Sequence, residues 1–208
     1  MKEWKTTLFC GSFEGETDMF SRIDGLKVYN TGIGLHDSLY SLQRYLMKNQ
    51  DIKTVLFFGS AGAYPHSELK VGNIVYSYKF LSKELAEIKN MCKVPEIMTR
   101  HILTQVDPRT ADMIEKLGFK EVISNSMNYV TLVNLSSEEL VNSLFDVGAE
   151  NMEAFSLAYA ASRLSVNFTA FYYITNIVGE SGSKDWAIHW REGSNILQRK
   201  IINYIKGK

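Results

Sequence analysis

Cysteine is nearly missing from this sequence: only Cys10 and Cys92 occur among 208 residues. Neither has a cysteine or histidine neighbour at metal-ligand spacing, so a disulfide framework is excluded, no zinc pattern exists, and a reducing compartment is the natural setting. An excess charge of either sign is missing as well. Lysine plus arginine and aspartate plus glutamate number 23 each, with no basic tail, which disfavours nucleic acid and anionic membrane surfaces as partners. The expected partner is a small molecule. No apolar run approaches the roughly 18 residues of a membrane span, and residues 1–7 are polar and charged. A soluble, cytoplasmic protein is expected. Repeats and linker-like stretches are also lacking, so 1–208 reads as a single domain, large enough to bury roughly 70% of the surface an unfolded chain exposes.

What is present is an alternation of strand and helix signals. Short apolar runs at 7–10, 26–29, 54–58 and 74–76, each bounded by glycine or polar turns, read as buried strands. Leu39, Leu42, Tyr45 and Leu46 recur at helical spacing, and Ser136 with Glu139 forms a capping box for a helix expected to stop at Gly148. An alanine-rich helix over 152–164 leads into an apolar run at 168–174. Ile196, Leu197, Ile201, Ile202 and Ile205 then give a closing amphipathic helix. Residues 82–109 lack a clean period and read as helix plus loop. The sum predicts an α/β fold: a three-layer αβα sandwich around a mixed, twisted sheet.

Two glycine clusters follow predicted strands, Thr31-Gly32-Ile33-Gly34 and Gly59-Ser60-Ala61-Gly62. Taken alone, such glycines are tight-turn residues. Ligands of open α/β sheets nevertheless sit beyond the carboxyl ends of strands, where glycine lets backbone N–H groups approach them. Neither cluster completes a dinucleotide or P-loop pattern.

Four segments together carry a resemblance. Phe57-Phe58-Gly59-Ser60-Ala61-Gly62-Ala63 with Val71-Gly72-Asn73-Ile74-Val75 resembles the glycine-rich loop and "VGDIV" strand of the nucleoside phosphorylase and nucleosidase family, with Asn73 replacing aspartate. Asn151-Met152-Glu153-Ala154 resembles the "DMEG/DMES" motif that opens the family's central helix. Tyr173-Ile174-Thr175-Asn176 resembles "xISD" at the end of its last core strand, and Thr31-Gly32-Ile33-Gly34 completes the order. The resemblance implies a purine nucleoside bound near a subunit interface and a homodimer or hexamer, of which the homodimer is the expected assembly, and no metal or cofactor is expected.

Cleaving an N-glycosidic bond builds positive charge on ribose and negative charge on the purine, so the chemistry needs a sugar clamp, a base partner and a nucleophile. The resemblance assigns ribose to Glu153, with a backbone donor from Met152; alone, Glu153 would read as a glutamate complementing a helix dipole. Ser60, Ala61 and Gly62 are carried over as the substrate loop. Tyr129 stands where the family places an aromatic residue against the purine, the alternative being a buried strand tyrosine. Asn176 replaces the aspartate that many relatives direct at purine N7. A neutral amide cannot deliver a proton, but its oxygen accepts from N7–H and its NH₂ donates to a 6-oxo group. The same asparagine occurs in futalosine hydrolases, which the run from Ile174 to Gly179 and on to Asp185-Trp186 resembles; Asp185 is a further candidate if that segment folds inward. His36, His66, His101 and His189 match no motif, and the two cysteines read as inert.

Phosphorylases need arginines to hold a phosphate dianion. Family phosphorylases carry one two residues before the Gly-Ser pair, where this chain has Phe57, and 9–20 holds none. Nucleosidases instead use a glutamate after the first strand to orient water, which Gly11-Ser12-Phe13-Glu14-Gly15-Glu16 supplies as Glu16, with Glu14 as fallback and Ser60 assisting. Tyr172 replaces an arginine of adenine-directed nucleosidases. The expectation is a hydrolase of a 6-oxopurine nucleoside, with futalosine in menaquinone synthesis as the leading substrate. A methylthioadenosine or S-adenosylhomocysteine nucleosidase, a purine nucleoside phosphorylase, and a noncatalytic nucleoside-binding homologue are the alternatives.

Overall fold

The computed structural model describes residues 4–207. Met1 to Glu3, the start of the polar N-terminal stretch, and Lys208 lie outside the described residues. Eight strands and six α-helices follow one another as β1 (Thr7–Gly11), β2 (Lys27–Asn30), α1 (Gly34–Lys48), β3 (Thr54–Ala63), β4 (Ile74–Leu81), α2 (Leu85–Ile88), β5 (His101–Leu103), α3 (Pro108–Leu117), β6 (Lys120–Ser126), α4 (Ser137–Leu144), β7 (Val147–Asn151), α5 (Ala154–Arg163), β8 (Asn167–Ile177) and α6 (Gly182–Ile205). The α/β architecture with a mixed sheet is as expected.

The sheet runs β2-β1-β3-β7-β6-β4-β5, with β8 paired to both β3 and β4. Because β8 bridges two strands of the same path, β3, β7, β6, β4 and β8 close into a ring. Parallel pairing joins β3 to β1 and β8, while β7 pairs antiparallel with β3 through Gly62 and Ala63 alone. Apolar side chains cover both faces, as buried parallel strands require. On one side Leu42 and Leu46 of α1 and Leu157, Ala158 and Ala161 of α5 join Val55, Phe57 and Phe168 in a core. On the other, Met113 of α3 and Leu197 and Ile201 of α6 pack on Phe9, Phe58 and Phe171.

Several local readings need correction. The Gly59-Ser60-Ala61-Gly62 cluster is not a turn after β3 but its last third, since hydrogen bonding to β8 continues to Ala63 across a bulge at Ala61/Gly62. The Ser136–Glu139 capping box is present, yet α4 ends at Leu144. Gly148 lies inside β7, where Val122 and Leu69 crowd the space a Cβ would take. Residues 82–109 contain, besides the short α2, the strand β5, and they reach the start of α3. That helix is capped by Asp107, whose carboxylate accepts from the N–H of Arg109 (3.1 Å) and Thr110 (3.4 Å), with Pro108 at its first turn and Gly118 at φ +64° closing it. Finally, α6 begins at Gly182, fourteen residues before the predicted closing stripe.

Candidate active site

The carboxyl ends of β1, β3 and β8 and the β7–α5 junction converge on a cleft of about 260 Å³. Glu16, Ser60, Ala61, Gly62, Tyr129, Met152, Glu153 and Asn176 all line it, together with Ser12, whereas the fallback Glu14 and the further candidate Asp185 do not. The parallel strands β1, β3 and β8 deliver Glu16, Ser60 to Gly62 and Asn176 because their ends share one side of the sheet, and β7, antiparallel to β3 at Gly62, brings Met152 and Glu153 to the same place. A wider polar groove of about 650 Å³ between α2 and α4, lined by Lys83, Glu87 and Glu139 among others, brings none of them together. It is a surface feature framed by the ion pairs Lys89–Glu139 (3.0 Å) and Arg100–Glu87 (2.5 Å).

Glu16 sits at the end of a 3-10 turn, and its Oε2 accepts from the Ser12 N–H at 2.7 Å. Burial and the nearby Glu153 charge push its carboxyl up to about 8, against the pull of hydrogen bonds from Ser12 and Ser60. The fallback, Glu14, is exposed and off the cleft. An aromatic cluster holds the Glu16 turn: Phe13 meets Trp190 edge-on at 5.2 Å, and Trp190 stacks on Trp186 at 5.7 Å. Trp186 in turn donates its indole N–H to Ser60 Oγ at 2.9 Å and forms a wall of the cleft.

Glu153 stands where β7 ends and α5 begins. Its Oε1 accepts from the backbone N–H of Gly34 (3.0 Å), and its Oε2 from Asn151 Nδ2 (3.0 Å). Gly34 holds φ +83°, and a Cβ there would meet Asn128 Oδ1 at 2.7 Å, so the close approach of α1 to this carboxylate requires glycine. Burial raises the Glu153 carboxyl, with the Gly34 and Asn151 hydrogen bonds opposing.

Asn151 organises this corner. Its Oδ1 accepts from the N–H of Glu153 (2.8 Å) and Ala154 (2.9 Å), capping α5, while its Nδ2 also reaches Ser60 O at 3.1 Å. An asparagine just before a helix is a legible capping signal, but its grip on Glu153 is not. Replacing Asn151 by alanine is expected to lower the melting temperature by about 5 °C, the size of a lost buried cap of about 1–2 kcal/mol. Asn151→Asp keeps the cap but sets a second carboxylate against Glu153 Oε2 and the Ser60 carbonyl in place of the donated bonds, so its melting temperature should fall more at about pH 8 than at about pH 4; equal melting temperatures for Asn151→Ala and the parent would contradict the assignment.

At the other end of the cleft, the hydroxyl of Thr175 donates to Asn176 Oδ1 (2.9 Å) and Asn176 Nδ2 donates to Ile177 O (3.2 Å), which orients the amide. Tyr129 is not a strand residue: it follows β6 in a bend, 38% exposed, with its ring on the cleft and its hydroxyl accepting from Leu85 N–H at 2.9 Å. Asp185 does not turn inward, because α6 has already begun and its carboxylate accepts from Ser181 Oγ at 2.6 Å. Ser183 and Trp186 occupy the wall instead. Tyr172 and Phe57 are core residues, the Tyr172 hydroxyl lying 3.0 Å from Ser124 Oγ. His189 supports the site from behind, its Nδ1 3.0 Å from the carbonyl of Thr175.

Sequence reasoning missed Glu150, Thr175 and Trp186 as lining residues; Glu150 in particular follows an alanine in a strand and precedes the recognised motif, with no periodicity to mark it. Among the described residues, no group of three or more histidine, cysteine or carboxylate side chains is disposed to hold a metal ion, and no helix is long and apolar enough to cross a membrane.

The sequence profile of the phosphorylase superfamily matches residues 24–205. No curated protein matches the sequence. Among solved structures, the 5′-methylthioadenosine/S-adenosylhomocysteine nucleosidase of Neisseria meningitidis in complex with methylthio-immucillin-A aligns over 98% of this chain and 100% of its own, at 14% identity and TM-score 0.79. The futalosine hydrolase of Helicobacter pylori aligns over the whole of both chains, again at 14% identity and TM-score 0.79. The Streptococcus pneumoniae MTA/SAH nucleosidase in complex with 8-aminoadenine gives 14% identity and TM-score 0.79 over 97% of this chain and 99% of its own. At such identity the likeness establishes a shared fold.

Proposed function

The chain belongs to the phosphorylase superfamily, and from that premise we propose that it hydrolyses the N-glycosidic bond of a 6-oxopurine nucleoside, futalosine in menaquinone synthesis being the leading substrate. One observation carries the choice of hydrolysis over phosphorolysis. The residues lining the cleft include three glutamates, Glu16, Glu150 and Glu153, and not one lysine, arginine or histidine. A phosphate dianion placed there would meet carboxyl groups and no cation to balance it, whereas water needs no counter-charge. The position at which family phosphorylases carry an arginine is Phe57, which is fully buried.

In this reading the Glu16 carboxylate accepts a proton from water as the water oxygen bonds to C1′. The C1′–N9 bond breaks and its electron pair leaves with the purine, whose N7 takes a proton from solvent; Glu16 then returns its proton to solvent, so the products are the neutral base and the free sugar. Glu153 and the Met152 backbone hold the ribose hydroxyls, and the ring of Tyr129 lies against the base. Asn176 offers its oxygen to N7–H and its NH₂ to the 6-oxo group, which stabilises the departing purine without donating a proton to it. The family resemblance adds a homodimer to the proposal, and length and composition add a cytoplasmic location and a single domain over 1–208, with no metal or cofactor.

Incubation with futalosine, methylthioadenosine and inosine, each with and without phosphate, tests the proposal. Base release is expected from the 6-oxopurine nucleosides at equal rates in both buffers, with free sugar as co-product. Strict phosphate dependence would overturn hydrolysis; cleavage of methylthioadenosine alone would overturn the 6-oxo preference.

A further inference from the structure

The mechanism gives Glu150 no task, although it is buried and faces the cleft. It sits on β7 directly opposite Gly62 of β3, and Gly62 is paired on its other edge with Asn176 of β8. Residues opposite one another across neighbouring strands project to the same side of a sheet. Glu150 and Asn176 therefore face each other over Gly62, which has no side chain to fill the gap. A Cβ at Gly62 would lie 2.8 Å from Asn176 Nδ2. With strands about 4.8 Å apart, the two backbones are on the order of 10 Å apart, a span across which a flat heterocycle can meet a side chain at each edge.

The hydrogen bonds of Glu150 leave its carboxylate partly unused. Oε2 accepts from the hydroxyls of Tyr64 (3.0 Å) and Thr131 (2.8 Å), while Oε1 accepts only from the Thr131 N–H (3.1 Å). The Tyr64 hydroxyl is itself held by Asn125 Nδ2 at 3.2 Å. A carboxylate offers about four acceptor positions, so Oε1 retains one. Its hydrogen-bond partners are all donors and none is a cation, an arrangement that presents an acceptor to the cleft.

Resting on the nucleoside reading of the cleft, we propose that Glu150 reads position 1 of the base: Oε1 accepts the N1–H of a 6-oxopurine whose N7 and 6-oxo edge meets Asn176. Adenine has a bare acceptor at N1, which would oppose the carboxylate and leave both groups unpaired. Guanine adds a 2-amino donor, but Oε2 is already filled by Tyr64 and Thr131, so hypoxanthine is the best match. Burial raises the Glu150 carboxyl and the Thr131 and Tyr64 hydrogen bonds lower it; a donor from the ligand adds to the second effect.

The test compares kcat/KM for inosine, N1-methylinosine, guanosine and adenosine in the wild-type protein and in Glu150→Gln. Wild type is expected to favour inosine over N1-methylinosine and adenosine by about 100-fold or more, the range of discrimination when a site is built to bond a polar group that the analogue lacks. Glu150→Gln, whose amide can donate to adenine N1 as well as accept, should bring inosine and adenosine within about tenfold of each other. Equal use of inosine and N1-methylinosine by wild type, a comparison that needs no variant, overturns the proposal and leaves the nucleosidase reading standing. Base release from none of the four, with no calorimetric binding of hypoxanthine or adenine, overturns both.

Discussion

Glu16→Gln is expected to reduce kcat for base release by about 10³-fold, the range lost with a positioned general base, while KM changes little because the amide keeps the shape of the side chain. The expectation follows from the enclosure of the group. Glu16 is buried, bonded to the Ser12 N–H and close to Glu153, so its carboxylate holds a proton up to about 8. A base with that affinity accepts a proton from attacking water far more readily than an ordinary carboxylate near 4. It must be ionised to act, so kcat/KM of the wild-type enzyme should rise with pH and level off above about 8. The variant should lose that limb.

Stability should move in the opposite sense. In the unfolded chain Glu16 releases its proton near about 4.3, so between that pH and about 8 the folded state binds more protons, and stability falls as pH rises across the window. Glu16→Gln removes the buried charge. Its melting temperature should therefore exceed that of wild type at pH 8 by several degrees, corresponding to on the order of a few kcal/mol, with little difference at pH 4. A variant of unchanged stability at pH 8 that still releases base at the wild-type rate would remove Glu16 from the reaction.

Glu153→Gln should be the second large effect, lowering kcat/KM by at least about 100-fold. The carboxylate accepts from two donors on different elements, the Gly34 N–H and Asn151 Nδ2. Glutamine has one oxygen, so its NH₂ must confront one of those donors. A sugar clamped there would lose a charge-assisted acceptor as its ring gains positive character. Steady-state kinetics paired with calorimetry of base and nucleoside binding distinguishes this outcome from a noncatalytic binding protein, in which affinity would change and no turnover would exist to be lost.

The residues that reached the cleft as expected are those marked by local chemistry: glycines where the backbone must approach a ligand or another chain segment, a glutamate opening a helix, an asparagine ending a strand. Ser60 and Gly62 were found although their setting was misread, because a glycine-rich segment looks alike in a turn and at the end of a strand until its partner is known. Only the pairing of β3 with β8 settles that, and pairing is not local. The first half of α6 was hidden for a different reason. Trp186 faces the cleft and Gly193 lies against the Tyr173 ring, so the inward face of that half is not a run of aliphatic residues. Gly148 resembled a helix stop because α4 and β7 are so close together. Glu150 was invisible because its importance comes from lying across Gly62 from Asn176, a relation between three strands.

That same three-strand relation bears on how the molecule can move. β3 has β8 along one edge and β1 followed by β7 along the other, so it cannot slide by a residue without breaking registers on both sides. The floor of the cleft, from Ser60 to Ala63, is therefore expected to open last of the segments around the site. Admission of substrate and escape of base fall to the rim: the turn at 13–16, the segment at 128–134 and the first turn of α6. Hydrogen exchange should accordingly find those three segments exchanging early and the amides of β3 exchanging last.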